Sequence, residues 1–332
     1  MDVSIIIINF NTKKITSDCI NSILDSKITY KYEIIIVDNA STDGSVQELK
    51  VLFSNKINLI ESKSNLGFAK ANNLAIKTSK GNNILLLNSD TLTFNKNSIN
   101  NLIDEFIQNN YVILSPILLN FDNSIQKNWF YEPSIIKSFI RISGIYSLLN
   151  NFFNFRSSKI NIPEKFDYLS FACILIRKTV FFNIGFLDKN IKFYHEDCEF
   201  GLRCKKNSIK LNISKAYKII HLGGSSTKNF SEFSFENDIK SLLYIINKHY
   251  NFYYYQLYRL TLFLSILLRT FFSFFGFSVK NQMKIYNSPK NDNAKKNIKR
   301  EEKKSFIKLY YKLLKYILSK SYNNSLFYPN QF

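Results

Sequence analysis

Residues 3–10 read VSIIIINF, apolar and β-branched nearly throughout. A strand of that kind has no solvated face, which predicts a sheet covered on both sides. The mixed stretch 13–26 then predicts a helix, and the two patterns keep alternating. Strands are expected over 32–37, 57–61, 83–88 and 111–115, with helices near 44–54, 67–79 and 97–109. Such a βαβ series implies an α/β fold, a mainly parallel central sheet with helices on both faces.

Beyond residue 115 the pattern loosens. NWFYEPS reads as a loop and 134–150 as an amphipathic helix. Residues 169–176 predict a strand, KTVFFNIG a short helix and EDCEFGLRCKK a helix that opens on two acids, with a further strand over 216–220. Glu199 and Arg203 stand four apart and can pair on the surface of that helix. Over 257–280 hydrophobicity rises, but Arg259 and Arg269 cut the run into pieces shorter than the roughly 20 residues a spanning helix needs. An interfacial helical hairpin or a buried helix is the expectation. In the last helix Lys304, Lys308, Lys312 and Lys315 form one stripe, and Phe306, Leu309, Leu313 and Ile317 another. A basic amphipathic helix suits an anionic membrane surface; the plainer reading is a helix packed on its own domain.

Two predicted strands end on carboxylates, IIIVDNASTDGS at Asp38 and ILLLNSDT at Asp90. In open α/β sheets ligands sit beyond the carboxyl ends of strands, so both acids are placed at a binding crevice. Helix or turn capping explains Ser41 and Asp43 well enough. No glycine follows the first strand in IIIINFNTKK, which speaks against a dinucleotide fingerprint or a P-loop. Phosphate must be held otherwise, and a carboxylate beside a divalent cation is the obvious means.

Composition changes this picture little. The 332 residues are 45% hydrophobic and 16% aromatic, with nine Gly and five Pro, as in an ordered globular chain. The formal charge of +20 invites a nucleic-acid or membrane partner, although Lys, Asn, Ile, Phe and Tyr abundant together is also what AT-rich coding produces. Four cysteines without CxxC spacing indicate neither a zinc site nor a disulfide framework, and fit a reducing cytoplasm. The apolar start follows Asp2 rather than a basic run, so it reads as a strand and not as a signal peptide.

Seven stretches, SIIIINFN, IIIVDNASTDGS, SNLGFAKANNLAI, ILLLNSDT, FACILIRKTVFFNIGFLD, FYHEDCEFGLRCKK and HLGGSS, occur in that order. Together they resemble the inverting glycosyltransferases of family 2, which have the Rossmann-like GT-A fold, over roughly residues 3–225. The rhamnosyltransferase-like branch, which builds bacterial surface polysaccharides such as O-antigen or capsule, is the most similar. The resemblance implies domains over 1–235 (a nucleotide-sugar half, 1–115, and an acceptor half, 116–235) and 236–332. It implies a donor site of Asn9, Asp38, Asn65, Gly67, Phe68, Asn72, Ser89 and Asp90, Asp38 holding the pyrimidine base and Gly67 allowing close backbone approach. Asp90, the last acid of a DXD-like motif, would ligate Mg²⁺ or Mn²⁺. Here Asn88 and Ser89 stand where a further acid is often found. His221, at the end of its strand, is a candidate second ligand, and a strand-end His is equally at home as a structural residue.

By the same resemblance Asp197 would be the base that accepts the acceptor hydroxyl's proton, with Glu196 orienting it or binding the acceptor. Acids in a first helical turn also simply complement the helix dipole. Trp129 and Arg203 are acceptor or sugar candidates, Trp129 by stacking if it is not packed away. No QxxRW motif is present, so one sugar is expected per encounter. The implied protein lies on the cytoplasmic face of the membrane and takes a UDP- or dTDP-sugar and a lipid-linked or growing saccharide, with no nucleic-acid partner. A basic nucleic-acid-binding protein has no use for acids at sheet ends. A nucleotidyltransferase would show a Gly-rich basic first loop, and a dead scaffold would not keep acids at 38, 90 and 197.

Overall fold

A computed structural model describes residues 1–145, 161–223, 231–274 and 292–319. In chain order the first half gives β1 (Val3–Asn9), α1 (Lys13–Leu24), β2 (Tyr32–Asp38), α2 (Ser45–Phe53), β3 (Asn58–Glu61), α3 (Phe68–Thr78) and β4 (Asn83–Asn88). There follow β5 (Thr91–Thr93), α4 (Ser98–Gln108), β6 (Ile113–Leu119), β7 (Ile125–Gln126), β8 (Trp129–Phe130) and α5 (Ile135–Ser143). The rest are β9 (Tyr168–Leu169), β10 (Cys173–Arg177), α6 (Lys178–Asn183), α7 (Glu196–Lys206), β11 (Leu211–His221), α8 (Ser231–His249), α9 (Phe252–Phe274) and α10 (Asp292–Ser319).

The main sheet runs β3-β2-β1-β4-β10-β6-β11-β5, with β7 on β6. β1 is parallel to both β2 and β4, and its side chains alternate between two cores. Val3, Ile5 and Ile7 join Ile20, Leu102 and Phe106 on one face. Ile6 joins Ala71, Ala75 and Phe181 on the other. This double burial is why the strand reads as an unbroken apolar run. Each such Ile contributes about 1.5–3 kcal/mol by leaving water.

β10 enters antiparallel between β4 and β6. The strand expected over 169–176 is thereby two: β9 pairs with β8 in a separate small sheet, and β10 begins after Ala172. The β10–β6 ladder stops where Pro116, lacking an N–H, would face Cys173; the Ser115 hydroxyl donates to the Cys173 carbonyl instead at 2.9 Å.

Contacts divide the chain into Met1–Glu132 with Ile160–Ser226, and Pro133–Lys159 with Thr227–Phe332. Among the described residues, α5, α8, α9 and α10 fall in the second of these units. That unit has its own core, in which Ile142, Leu242, Ile246, Tyr258, Leu262 and Leu313 meet. The helix expected over 134–150 is described as far as Ser143, where Gly144 takes a left-handed conformation; residues 146–150 lie outside the described residues.

Two expectations for this unit need correction. Arg259 and Arg269 do not break the apolar run: α9 is one helix of 23 residues, long and apolar enough to cross a membrane by length and composition. Arg269 is buried and donates to the Tyr310 hydroxyl and to the Ile142 carbonyl, near the negative end of α5, so its charge is met inside the unit. The apolar stripe of α10 is not a free membrane face, because Leu309, Leu313 and Ile317 are buried in the unit's core.

Candidate active site

Parallel pairing sets Asn9 beside Asp38 and Ile8 beside Asn88, so the ends of β2, β1 and β4 form one edge. Asn9 is fully buried and organises it. Its amide donates to Asp38 at 2.6 Å and to Ser41 at 3.1 Å. Its carbonyl oxygen accepts from Thr12 and Thr16 at 2.8 and 2.6 Å. Asp38 also accepts the Ser41 amide at 2.9 Å. Each carboxylate oxygen has two acceptor positions, so Asp38 keeps capacity for a further donor such as a base N–H.

Across this edge Asn39 donates to Asn65 at 3.0 Å and accepts the Leu66 amide at 2.8 Å, tying the β2 end to the turn before α3. Asn72 is turned inward, its amide donating to the Phe68 carbonyl of its own helix at 2.9 Å. Gly67 opens α3 with φ +77°, and a methyl group there would stand 2.7 Å from the Lys192 carbonyl oxygen. The close backbone approach expected at Gly67 is therefore to the loop leading into α7.

Asp90 meets His221 because β5 pairs antiparallel with β11, setting Thr91 opposite His221. His221 Nε2 lies 3.2 Å from Asp90 Oδ1 and 3.4 Å from Asn88 Nδ2. On the other side of the ring, Nδ1 lies 2.5 Å from Gln126 Oε1. The Gln126 amide donates to the Asn120 side chain and the His221 carbonyl, which leaves Oε1 as acceptor and makes Nδ1 the donor. In a neutral ring the Nε2 lone pair then faces a carboxylate, an arrangement a hard cation would relieve. Asp90 and His221 thus fit a divalent cation as a pair. Among the described residues no group of three or more His, Cys, Asp or Glu converges, so diphosphate and water would complete the shell. Gln126 escaped the sequence reading, since a Gln in an Asn-rich loop carries no local signal.

The acid pair opens α7 after a strained turn. Tyr194 and His195 are consecutive non-glycine residues in the left-handed region, at φ +65° and +69°. Glu196 is buried, and its Oε2 has no hydrogen-bond partner. Burial, with the Asp197 charge beside it, pushes its carboxyl up to about 8. Asp197 keeps some exposure. Burial raises it as well, opposed by nearby His195 and by the Cys198 amide, which donates to it at 2.7 Å. One acid of the pair is thus held neutral near pH 7, while the other has helix-terminal support for its charge.

Two acceptor candidates are removed from that role. Trp129 is 3% exposed and packs in the core with Leu169 and Phe171, so its ring has no face for a sugar. Arg203 and Glu199 pair inside the unit and not on its surface, Glu199 being fully buried. Arg203 grips both Glu199 oxygens and the carbonyls of Ile184, Gly185 and Phe186. All its donor directions are used in anchoring α7 to the segment after α6.

The family described as Glycosyl transferase family 2 matches residues 4–185. The chain is similar to the "Low-salt glycan biosynthesis hexosyltransferase Agl10" of Haloferax volcanii, with 30% identity over 66% of this chain and 67% of that protein. It is similar to the "UDP-Glc:alpha-D-GlcNAc-diphosphoundecaprenol beta-1,3-glucosyltransferase WfaP" of Escherichia coli, with 28% identity over 69% and 82%. Among solved structures, the mannosyltransferase PcManGT from Pyrobaculum calidifontis, in complex with GDP-Man and Mn²⁺, superposes with a TM-score of 0.53 at 11% identity, covering 95% of this chain and 84% of that one. That likeness concerns the fold alone, which is GT-A. With the family match spanning more than half of its length, this chain belongs to glycosyltransferase family 2 and is a glycosyltransferase.

Proposed function

We propose that this enzyme moves one hexose, rhamnose or another, from a UDP- or dTDP-sugar to a lipid-linked or growing saccharide in bacterial cell-surface polysaccharide synthesis, on the cytoplasmic face of the membrane. The observation that carries the reading is the single edge formed by the β2, β1 and β4 ends, with Asp90 and His221 3.2 Å apart beside it. The acceptor named for the E. coli relative is a diphosphoundecaprenol-linked sugar.

Asp38 receives the N–H of the pyrimidine base, which uracil and thymine share, and Asn9 fixes the carboxylate for that task. The turn at Asn65, Gly67 and Phe68, with Ser89 across the edge, lines the nucleotide site. A divalent cation, Mg²⁺ or Mn²⁺, held by Asp90 and His221 would offset the charge that builds on the departing diphosphate. Asp197 takes the proton of the attacking hydroxyl, and its raised pKa brings it nearer the operating pH than an ordinary carboxylate. Neutral Glu196 avoids a second charge beside it and has a hydroxyl to orient the acceptor. Attack opposite the leaving group in one displacement inverts the anomeric carbon.

Substitution separates the roles. Asp197→Asn should bind UDP or dTDP as the parent does yet lose turnover by about 10²–10⁴-fold. Asp90→Ala should weaken cation-dependent nucleotide binding first. Equal loss of binding in both would show the roles to be wrongly divided.

A further inference from the structure

On α9, Leu257, Leu260, Leu264 and Leu267 are 52%, 53%, 46% and 42% exposed, and Phe271 and Phe274 continue the row at 54% and 66%. Steps of three and four keep them on one face of a helix about 35 Å long. The opposite face is fixed in the unit's core through Tyr255, Tyr258, Leu262 and Ile266. Soluble monomers rarely leave an apolar strip of that extent uncovered.

Charge identifies what covers it. The unit holding α9, Pro133–Lys159 with Thr227–Phe332, contains 22 Lys and Arg and six acids, against 23 and 19 in the rest of the chain. Sixteen of the 20 net positive charges therefore belong to the unit with the apolar strip. Two of its acids, Glu236 and Asp238, are already in ion pairs with Lys240, Lys312 and Arg141. A second copy would set two strongly basic units against each other. The spacing would suit a zipper, but the flanking Gln256, Phe263 and Thr270 offer no charges to offset that repulsion. Crossing the bilayer is also disfavoured, because Arg269 is buried on the packed face and the neighbouring α10 exposes Lys308, Lys312 and Lys315.

We propose that α9 lies in the plane of an anionic lipid surface, its Leu and Phe row among the upper acyl chains, with the unit's net positive charge drawing it to the anionic headgroups. This rests on the reading of a membrane-bound acceptor and replaces the α10 stripe as the apolar membrane contact.

Flotation of the full chain with vesicles of about 30% phosphatidylglycerol in phosphatidylcholine tests it. The parent should float with them, bind pure phosphatidylcholine weakly, and come off as salt rises from about 0.1 M to about 1 M. Leu260→Gln, Leu264→Gln and Leu267→Gln together should lower partitioning at least about tenfold while nucleotide binding stays unchanged. As a milder variant, Leu264→Trp should show blue-shifted emission quenched by lipids brominated just below the headgroups, since the native Trp129 is buried away. Unchanged flotation of the triple variant, no flotation of the parent, or a parent dimer that the triple variant breaks without affecting flotation would each overturn the proposal. Absent nucleotide binding in parent and variant alike would count against the donor site, not against this docking face.

Discussion

At the residue scale, the edge of the sheet and the start of α7 are built from side chains that would be costly anywhere else. Glu196 is the sharpest case. Its carboxyl lies at about 8 in the folded protein against an ordinary 4.5, so between those values the folded state holds a proton that the unfolded chain has released. Its contribution is fully present below about 4.5 and is lost as pH rises to about 8. Relative to Glu196→Gln, which cannot ionise, the parent should lose on the order of 4 kcal/mol across that window, read from denaturant unfolding at a series of pH values. Parallel stability curves would mean Glu196 is not held neutral. Gly67→Ala should cost about 1–3 kcal/mol and weaken nucleotide binding, because the methyl group meets the Lys192 carbonyl oxygen at 2.7 Å. Gly44→Ala is the control: it shares the positive φ, but its nearest neighbour is the flexible end of Lys13 at 3.8 Å. Equal effects would show that backbone strain alone is being measured.

At the element scale, β1, β2 and β4 were legible within a residue because double burial leaves an unmistakable apolar run. Asp38 and Asp90 stood out for a related reason: Asp38 is the first polar residue past its apolar run, and Asp90 follows its run after Asn88 and Ser89. Short elements were not. β5 spans three residues and carries no period of its own, yet it brings Asp90 to His221. The β10–β6 ladder stops short at Pro116, in a strand far away in sequence from β10, which no local pattern reveals. The pairing of Glu199 and Arg203 was visible from spacing, but its burial was not, since four-residue spacing is the same inside and outside. Arg203→Ala should therefore act on stability, costing about 3–5 kcal/mol by leaving Glu199 buried without its cation. Thermal unfolding measures that loss. A stable variant with only a raised acceptor KM would return Arg203 to the acceptor site.

At the scale of the whole molecule, the net charge, ambiguous as a total, becomes informative once divided between the two units. The unit holding the catalytic candidates is nearly balanced, and the basic excess lies with the helical unit that carries the exposed row of α9. The expectation of a membrane partner offered both the 257–280 stretch and the terminal helix as apolar contacts, because amphipathic spacing cannot say which face finds a protein neighbour first. The family match ends at residue 185, so the roles given to Glu196, Asp197 and His221 rest on the motif resemblance and on geometry. All of the chemistry depends on a nucleoside diphosphate sitting at the edge built by Asn9, Asp38 and Asp90. Calorimetry of the purified protein with UDP and with dTDP, each with and without Mn²⁺, addresses that directly. Cation-enhanced binding of one of them, weakened in Asp90→Ala, is the predicted result; binding of neither nucleotide in the presence of Mn²⁺ would contradict the donor site.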